Sequence, residues 1–83
     1  MNDDDLFLGG SKSRSKNFKN SSTLLRAEYD ASMNRLTVLF VDGKTYQYGG
    51  VPEEVANGLF ESESPGRYLN EQIKRGVYTF KKL

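Results

Sequence analysis

The sequence predicts one α+β domain: a three-stranded antiparallel meander, two helices packed on one face of it, and a short C-terminal strand. Three observations support this prediction. Apolar and polar residues alternate between residues 23 and 48, with two turn-like breaks. Helix-start signals and apolar residues at helical spacing follow between residues 52 and 76. A length of 83 residues, 36% of them hydrophobic, is enough for one small core and excludes two packed domains.

The meander is predicted from alternating apolar side chains on three strands. The expected inward residues are Leu25, Ala27 and Tyr29 on the first strand, Leu36, Val38 and Phe40 on the second, and Tyr46 and Tyr48 on the third.

Two registers are compatible with the second hairpin. A two-residue turn would place both tyrosines on the face opposite Val38. A three-residue loop ending at Gly43, with this glycine in the left-handed conformation, instead pairs Val38 with Tyr46 and Leu36 with Tyr48. We favour the three-residue loop, because it collects the large side chains on one buried face and uses glycine where the backbone needs it.

Two helices are predicted after the meander. Pro52 suits the first position of a short acidic helix, and Gly58 inside it indicates close packing against the sheet. Ser64 and Pro65 begin a second helix, which Gly76 ends. The buried residues expected on the two helices are Val55, Ala56, Leu59 and Phe60, then Leu69 and Ile73. Residues 77 to 80 are strand-like and predict the terminal strand.

The residues before the meander differ in composition from the rest. Residues 1 to 20 contain few large apolar side chains, so we expect a flexible charged tail, followed by the folded domain over residues 21 to 83. A disordered, solubilising end is one interpretation of its first residues. The other is a linear motif that docks on a partner protein. That motif would consist of Asp4, Asp5, Leu6, Phe7 and Leu8.

The composition excludes several classes of function. The chain has no cysteine and no histidine, so disulfides, zinc fingers and every thiol or imidazole catalyst are impossible. We expect no enzyme activity, no cofactor and no metal. Twelve Lys+Arg and eleven Asp+Glu give a net charge of +1, so nucleic-acid binding would need a local patch. No apolar run approaches the roughly 20 residues that span a bilayer, and we expect a cytoplasmic protein without membrane contact.

A set of short motifs gives the sequence a family resemblance. The motifs are Leu36-x-Val38-x-Phe40, Gly43, Tyr46-Gln47-Tyr48, Val51-Pro52, Ser64-Pro65-Gly66-Arg67-Tyr68-x-Asn70 and the final aromatic strand. Together they resemble the KTSC domain, a family named for the C-terminal extension of some lysyl-tRNA synthetases and also found as small stand-alone proteins of bacteria and phages. The resemblance covers about residues 21 to 83 and implies RNA binding.

Aromatic and basic residues are the candidate binding groups. Tyr46 and Tyr48 are either a stacking platform for unpaired bases or part of the core. A C-terminal basic group is either a phosphate-binding patch or an ordinary solvated surface; its members are Arg67, Lys74, Arg75, Lys81 and Lys82. Arg67 and Lys74 would lie two α-helical turns apart on one side of the second helix.

The start of the second helix is a further candidate. The free amides after Ser64, together with Arg67, would suit an anion. The alternative is plain helix capping, with Arg67 paired to Glu61 or Glu63.

Two functions therefore remain open. The first is a small non-enzymatic module that binds RNA or other nucleic acid through the basic group. The second is a protein-interaction module, for example a phage protein that binds or inhibits a host protein. It would use the N-terminal motif or the sheet face opposite the core, formed by Thr37, Leu39, Val41, Thr45 and Gln47. The sequence leaves the oligomeric state open.

Overall fold

The computed structural model describes residues 13–76 and 78–83, which form an antiparallel sheet covered on one face by helices. The sheet has five strands in sequence order: β1 (Ser13–Asn17), β2 (Leu24–Asp30), β3 (Arg35–Phe40), β4 (Thr45–Gly49) and β5 (Thr79–Lys82). Between β4 and β5 the chain forms helix α1 (Glu53–Glu61) and helix α2 (Pro65–Tyr68), which a π-helical segment (Leu69–Lys74) continues. The predicted α+β class with an antiparallel sheet and two helices is confirmed. The predicted strand count is wrong.

The additional strand, β1, lies within the segment that we expected to be a tail. Its five residues are all exposed, and it pairs with β2 so that Arg14 is opposite Tyr29 and Lys16 opposite Ala27. Phe18 follows it and is buried, with 8% of its surface exposed. This strand shows no alternation of apolar residues, because the side chains that contact helix α1 are the cations Arg14 and Lys16. The proposed motif residues 4 to 8 lie outside the described residues.

The second hairpin has the register that the sequence predicts. Val38 is opposite Tyr46, and Leu36 is opposite Tyr48. Gly43 has a φ of 91°, and its amide donates a hydrogen bond of 2.9 Å to the carbonyl of Phe40. This left-handed conformation favours glycine, so the loop chemistry sets the face on which both tyrosines lie.

The first strand of the meander departs from strict alternation. The pairing of β2 with β3 shifts between Leu24 and Arg26, which places a β-bulge at Leu25. Leu24 is fully buried, whereas Leu25 is 44% exposed. The prediction that Leu25 faces the core is therefore wrong, since the bulge turns its neighbour inward instead.

The core lies between one face of the sheet, hereafter the core face, and the two helices. The sheet contributes Leu24, Ala27, Tyr29, Leu36, Val38 and Tyr48, and the helices contribute Ala56, Leu59, Phe60, Leu69 and Ile73. Each large apolar side chain buried in this way contributes about 1.5–3 kcal/mol relative to exposure, so this layer holds the helices on the sheet.

The two helices are tied to each other by an aromatic contact. Pro52 precedes α1 as its N-cap, and Ser64 precedes α2 with Pro65 at the first helical position. A side chain at Gly58 would collide with the hydroxyl of Tyr68, which donates a hydrogen bond of 2.9 Å to the carbonyl of Val55. Close packing at Gly58 is therefore confirmed, but its partner is helix α2 and not the sheet.

The terminal strand closes the sheet beside β4. It begins at Thr79, and Val77, where we expected it to begin, lies outside the described residues. Tyr48 is opposite Phe80, and Tyr46 is opposite Lys82. In residues 13–76 and 78–83, no helix has both the length and the apolar content to cross a membrane.

Candidate functional site

An open cleft lies at the β5 side of the core face, where the sheet extends beyond the helices. It has a volume of about 480 Å³. Aromatic rings form much of its lining, with two lysines, one aspartate and the end of the π-helical segment completing it. We call this feature the aromatic cleft and define it by Phe40, Asp42, Lys44, Tyr46, Tyr48, Ile73, Lys74, Gly76, Tyr78 and Phe80.

Four of these rings form a connected series across β3, β4 and β5. The ring of Phe40 meets that of Tyr46 edge-to-face, with 5.7 Å between centroids. Phe80 then lies 6.1 Å from the rings of both Tyr46 and Tyr48, at tilted angles. These spacings are in the range of favourable aromatic contacts, so the rings hold one another in place.

The rings differ in how much of their surface is open. Tyr48 is buried, with 3% exposed, whereas Phe80 is 64% exposed. Tyr46 is partly buried. The core interpretation therefore holds for Tyr48, Tyr46 is shared between core and cleft, and the ring with a free face is Phe80.

Phe80 was not among the candidate residues from the sequence. The available signal was its place in the final strand, because pairing that strand with β4 puts Phe80 opposite Tyr48. The register of this pair was not predictable, since β4 and β5 are joined through both helices rather than by a turn. The ring of Phe40 was also not assigned to a site, whereas Tyr78 was weighed from the sequence, like Tyr46 and Tyr48, as either a stacking residue or part of the core.

Lysines lie on the same side of the sheet as Phe80. The ammonium of Lys74 lies 5.9 Å above the ring centroid of Phe40, which is cation–π range. Lys82 is opposite Tyr46 and therefore shares the core face of β5 with Phe80. Lys44 is 4.0 Å from Asp42, an exposed ion pair that salt screens readily. The cleft thus combines an exposed aromatic ring with exposed lysines.

The five cations proposed from the sequence do not all share this surface. Lys74 lines the cleft, Arg75 follows it at the exposed end of the π-helical segment, and Lys82 lies on the core face of β5. Lys81 alternates to the opposite face, where it pairs with Gln47. The structure therefore brings three of the five together at one side of the sheet.

Arg67 is the fifth cation and has a different role. Its Nε donates a hydrogen bond of 3.1 Å to Glu71, one turn further along, so the expected pairing with Glu61 or Glu63 is wrong. The segment from Leu69 to Lys74 is π-helical, with wider turns than an α-helix. The two-turn spacing of Arg67 and Lys74 that an α-helix would give therefore does not apply.

The start of helix α2 has few groups free for an anion. Pro65 is buried and has no amide hydrogen, and the amide of Tyr68 donates a 2.9 Å hydrogen bond to the carbonyl of Ser64. The Ser64 hydroxyl makes no capping hydrogen bond. With Arg67 engaged by Glu71, the structure does not assemble the anion clamp considered from the sequence.

The sheet face opposite the core, hereafter the outer face, is mainly polar around β3 and β4. Thr37 accepts a long hydrogen bond of 3.4 Å from Gln47, and Leu39 lies half-buried opposite Thr45. Val41 is exposed beyond the end of β3. These residues do not form the contiguous apolar surface that would favour a protein partner.

Titration and metal chemistry add little to the cleft. Burial raises the pKa of the Tyr48 hydroxyl above its usual range, and the neighbouring Tyr46 raises it further, so Tyr48 is a neutral hydroxyl near pH 7. Across the described ranges, no three Asp or Glu side chains gather in a way that could hold a metal ion.

Comparisons with known proteins agree with the fold. The family model of the KTSC domain matches residues 20–78. The crystal structure of a KTSC domain protein from Yersinia pestis superimposes with a TM-score of 0.75 at 32% identity, covering 87% of this chain and 99% of that one.

Two further relatives have no assigned activity in their names. An uncharacterised protein of Stutzerimonas stutzeri (strain A1501) is 38% identical over 60 residues, or 72% of this chain and 84% of that protein. A protein of Tsukamurella paurometabola is 41% identical over 54 residues, or 65% and 81%. The span that the family model matches ends before β5 begins, so Phe80 lies just outside it.

Proposed function

The chain belongs to the KTSC domain family, and we propose that it is a small RNA-binding module that holds unpaired nucleotides in the aromatic cleft. One observation carries the proposal: Phe80 is 64% exposed at the centre of a series of packed rings with lysines beside it. A large ring that is mostly exposed contributes little to the stability of the core, but it offers a face on which a base can stack.

The shape and charge of the cleft favour a single strand over a duplex. Bases in a duplex are stacked and paired, so their faces are not available to a side chain, whereas unpaired bases can turn onto an aromatic ring. Lys74 and Lys82 lie on the same side of the sheet as Phe80 and suit the phosphates on either side of a stacked base. The net charge of only +1 makes such local placement necessary.

The test is binding of a fluorescently labelled single-stranded RNA, measured by anisotropy at several salt concentrations. Phe80→Ala removes the stacking face and should weaken binding by about 5- to 150-fold, since stacking is worth about 1–3 kcal/mol per base. Leu25→Ala is the matched control, because it removes another exposed apolar side chain, on β2 and outside the cleft.

The electrostatic half of the proposal has its own variant. Lys74→Gln should weaken binding and lower the slope of log affinity against log salt by about 0.7, the value for one phosphate contact on a single strand. Lys19→Gln removes another exposed lysine, beside the opposite edge strand, and should leave the slope unchanged. Failure of the wild-type protein to bind RNA at low salt, or equal binding by Phe80→Ala, would overturn the proposal.

A further inference from the structure

We propose that an RNA strand bound in the aromatic cleft crosses the free edge of β5, so that one of its phosphates binds between Arg35 and Lys81 on the outer face. This second anion site rests on the proposed function and extends the contact surface to the other side of the sheet. It also assigns a role to Lys81, which alternation separates from the other basic residues.

The register of β5 places binding groups on both of its faces. Phe80 and Lys82 point to the core face with Tyr48 and Tyr46, their partners on β4. Lys81 points to the outer face, opposite Gln47. Consecutive residues of a strand alternate in this way, so two neighbouring lysines can contact one flexible chain only if it passes over the strand.

A second, shallower depression lies on the outer face beside β5. Its volume is about 270 Å³, and it is lined by Arg35, Gln47, Gly49, Thr79, Phe80 and Lys81. Gly49 lies opposite Thr79, whose hydroxyl would be only 2.9 Å from a β-carbon at residue 49, so glycine lets the Thr79 side chain pack close to β4. Phe80 lines both this depression and the aromatic cleft, so the two sites meet at the edge of β5.

The two cations of the outer site are available to an anion. In residues 13–76 and 78–83, neither Arg35 nor Lys81 has a carboxylate within 4.0 Å. Arg35 contacts the sulfur of Met33 at 3.1 Å, a weak acceptor. A guanidinium without a carboxylate partner is suited to the two-oxygen contact that a phosphate offers.

The nearest acid across the sheet is Asp30, opposite Arg35 on β2. Its Oδ1 accepts hydrogen bonds from the hydroxyl and amide of Ser32, at 2.6 and 3.0 Å. These bonds, with the charge of Arg35, hold the pKa of Asp30 below its usual range, so it stays charged. Asp30 lies on β2 and Arg35 on β3, so the charge of Asp30 repels a phosphate from the β2 side of Arg35. A phosphate is therefore favoured on the other side of Arg35, towards β5.

The edge of β5 lets a single strand pass from one site to the other. Its four residues are exposed, and in the described part of the chain no strand pairs with its outer edge. A flexible single strand bends around such an edge with its phosphates on both sides, which a stiff duplex does not.

The experiment compares two RNA lengths with the double variant Arg35→Gln with Lys81→Gln. A single strand of about nine nucleotides is long enough for both sites, whereas a trinucleotide fills only the cleft. For the longer RNA, the variant should lower the log–log salt slope by about 0.7, the value for one phosphate contact on a single strand. The trinucleotide, followed by NMR titration, should bind wild type and variant equally.

The matched control is Lys19→Gln with Arg26→Gln, which removes the same charge at and near the opposite edge of the sheet. It should leave the slope for the longer RNA unchanged. Equal slopes for the control and the Arg35/Lys81 variant would overturn the outer site while the cleft stands, provided that Phe80→Ala still loses binding. Absence of wild-type binding to both RNAs would overturn the proposed function and the outer site together.

Discussion

The two edge strands of the sheet carry the same kinds of residue and use them differently. On β1, the guanidinium of Arg14 lies 4.8 Å from the ring centroid of Phe60 and donates a 2.6 Å hydrogen bond to Asn57. The ammonium of Lys16 donates a 2.6 Å hydrogen bond to the carbonyl of Phe60 near the end of α1. These cations fix the edge to the helix.

At the other edge, the cations and the ring remain open to solvent. Phe80 is exposed, whereas Phe60 is buried. The side chains of Lys81 and Lys82 make no hydrogen bond or ion pair within the described ranges. Cations beside aromatic rings are therefore not a binding signature in themselves. The decisive difference is whether a helix supplies their partners, as α1 does for β1.

The largest expected effect separates the two phenylalanines by stability. Phe60→Ala should lower the free energy of unfolding by about 3–5 kcal/mol, because its ring is 1% exposed and leaves a cavity. Phe80→Ala should change it by less than about 1 kcal/mol, because most of its ring is already in water. Urea unfolding followed by circular dichroism measures both.

If Phe60→Ala does not fold, the milder change Phe60→Leu should still lower the free energy of unfolding more than Phe80→Ala does. If Phe80→Ala is as destabilising as the change at Phe60, the proposed difference between the two edges is wrong. The ring of Phe80 would then be part of the core.

The next effect compares two buried tyrosines. The hydroxyl of Tyr29 donates a 2.6 Å hydrogen bond to the carbonyl of Val51, so Tyr29→Phe leaves a buried acceptor unpaired and should cost about 1–3 kcal/mol. Tyr48 makes no side-chain hydrogen bond among the described residues, and Tyr48→Phe should change stability by less than about 0.5 kcal/mol. Thermal unfolding of both variants tests this. A larger loss for Tyr48→Phe would mean that its hydroxyl has a structural partner at the cleft.

A smaller effect is expected for the lysines of the two edges. Lys16→Gln removes the hydrogen bond to the Phe60 carbonyl and should destabilise the domain by about 1 kcal/mol. Lys82→Gln should have no measurable effect on stability and should affect RNA binding instead. The melting temperatures of the two variants, measured in parallel, test the contrast. It fails if they shift equally.

The smallest effect is a shared response to alkaline pH. Burial raises the pKa values of Tyr29, Tyr48 and Tyr68 in the folded protein above the ordinary value of 10.0. The unfolded chain therefore releases these protons at lower pH, so the stabilising contribution is complete below pH 10 and is lost as pH rises through the folded pKa values. Chemical unfolding between neutral pH and about pH 11 should show a decline that Tyr48→Phe reduces. A flat profile above pH 10 would contradict the burial of these hydroxyls.

The features that could be predicted from the sequence are those set by residues close together in the chain. The register of β3 and β4 was predictable because a glycine loop and strict alternation determine it together. Strand β1 was not, because its residues are polar and its support comes from pairing with β2 and from contacts to Asn57 and Phe60, far along the chain. The π-helical turns after Tyr68 also have no local signal of this kind.

The candidate site was predictable only in its residue types. Tyr46 and Lys74 were named from the sequence and do line the cleft, but Phe80 was missed. Its exposure depends on where the helices stop covering the sheet, which is a tertiary property. The separation of Lys81 from Lys82 also needed the pairing of β5 with β4.

The order in which strands pair has a consequence for folding. Strands β1 to β4 pair with sequence neighbours across short turns, whereas β5 joins β4 only after the segment from residue 50 to 78 has been closed into a loop. Loop-closure entropy makes this pairing the costliest to initiate, so β5 should dock late and open most easily, as faster amide exchange than in β3 would reveal. A ligand bound in the cleft would therefore stabilise the pairing of β4 with β5, which opens most easily, and should slow its opening before that of the other strands.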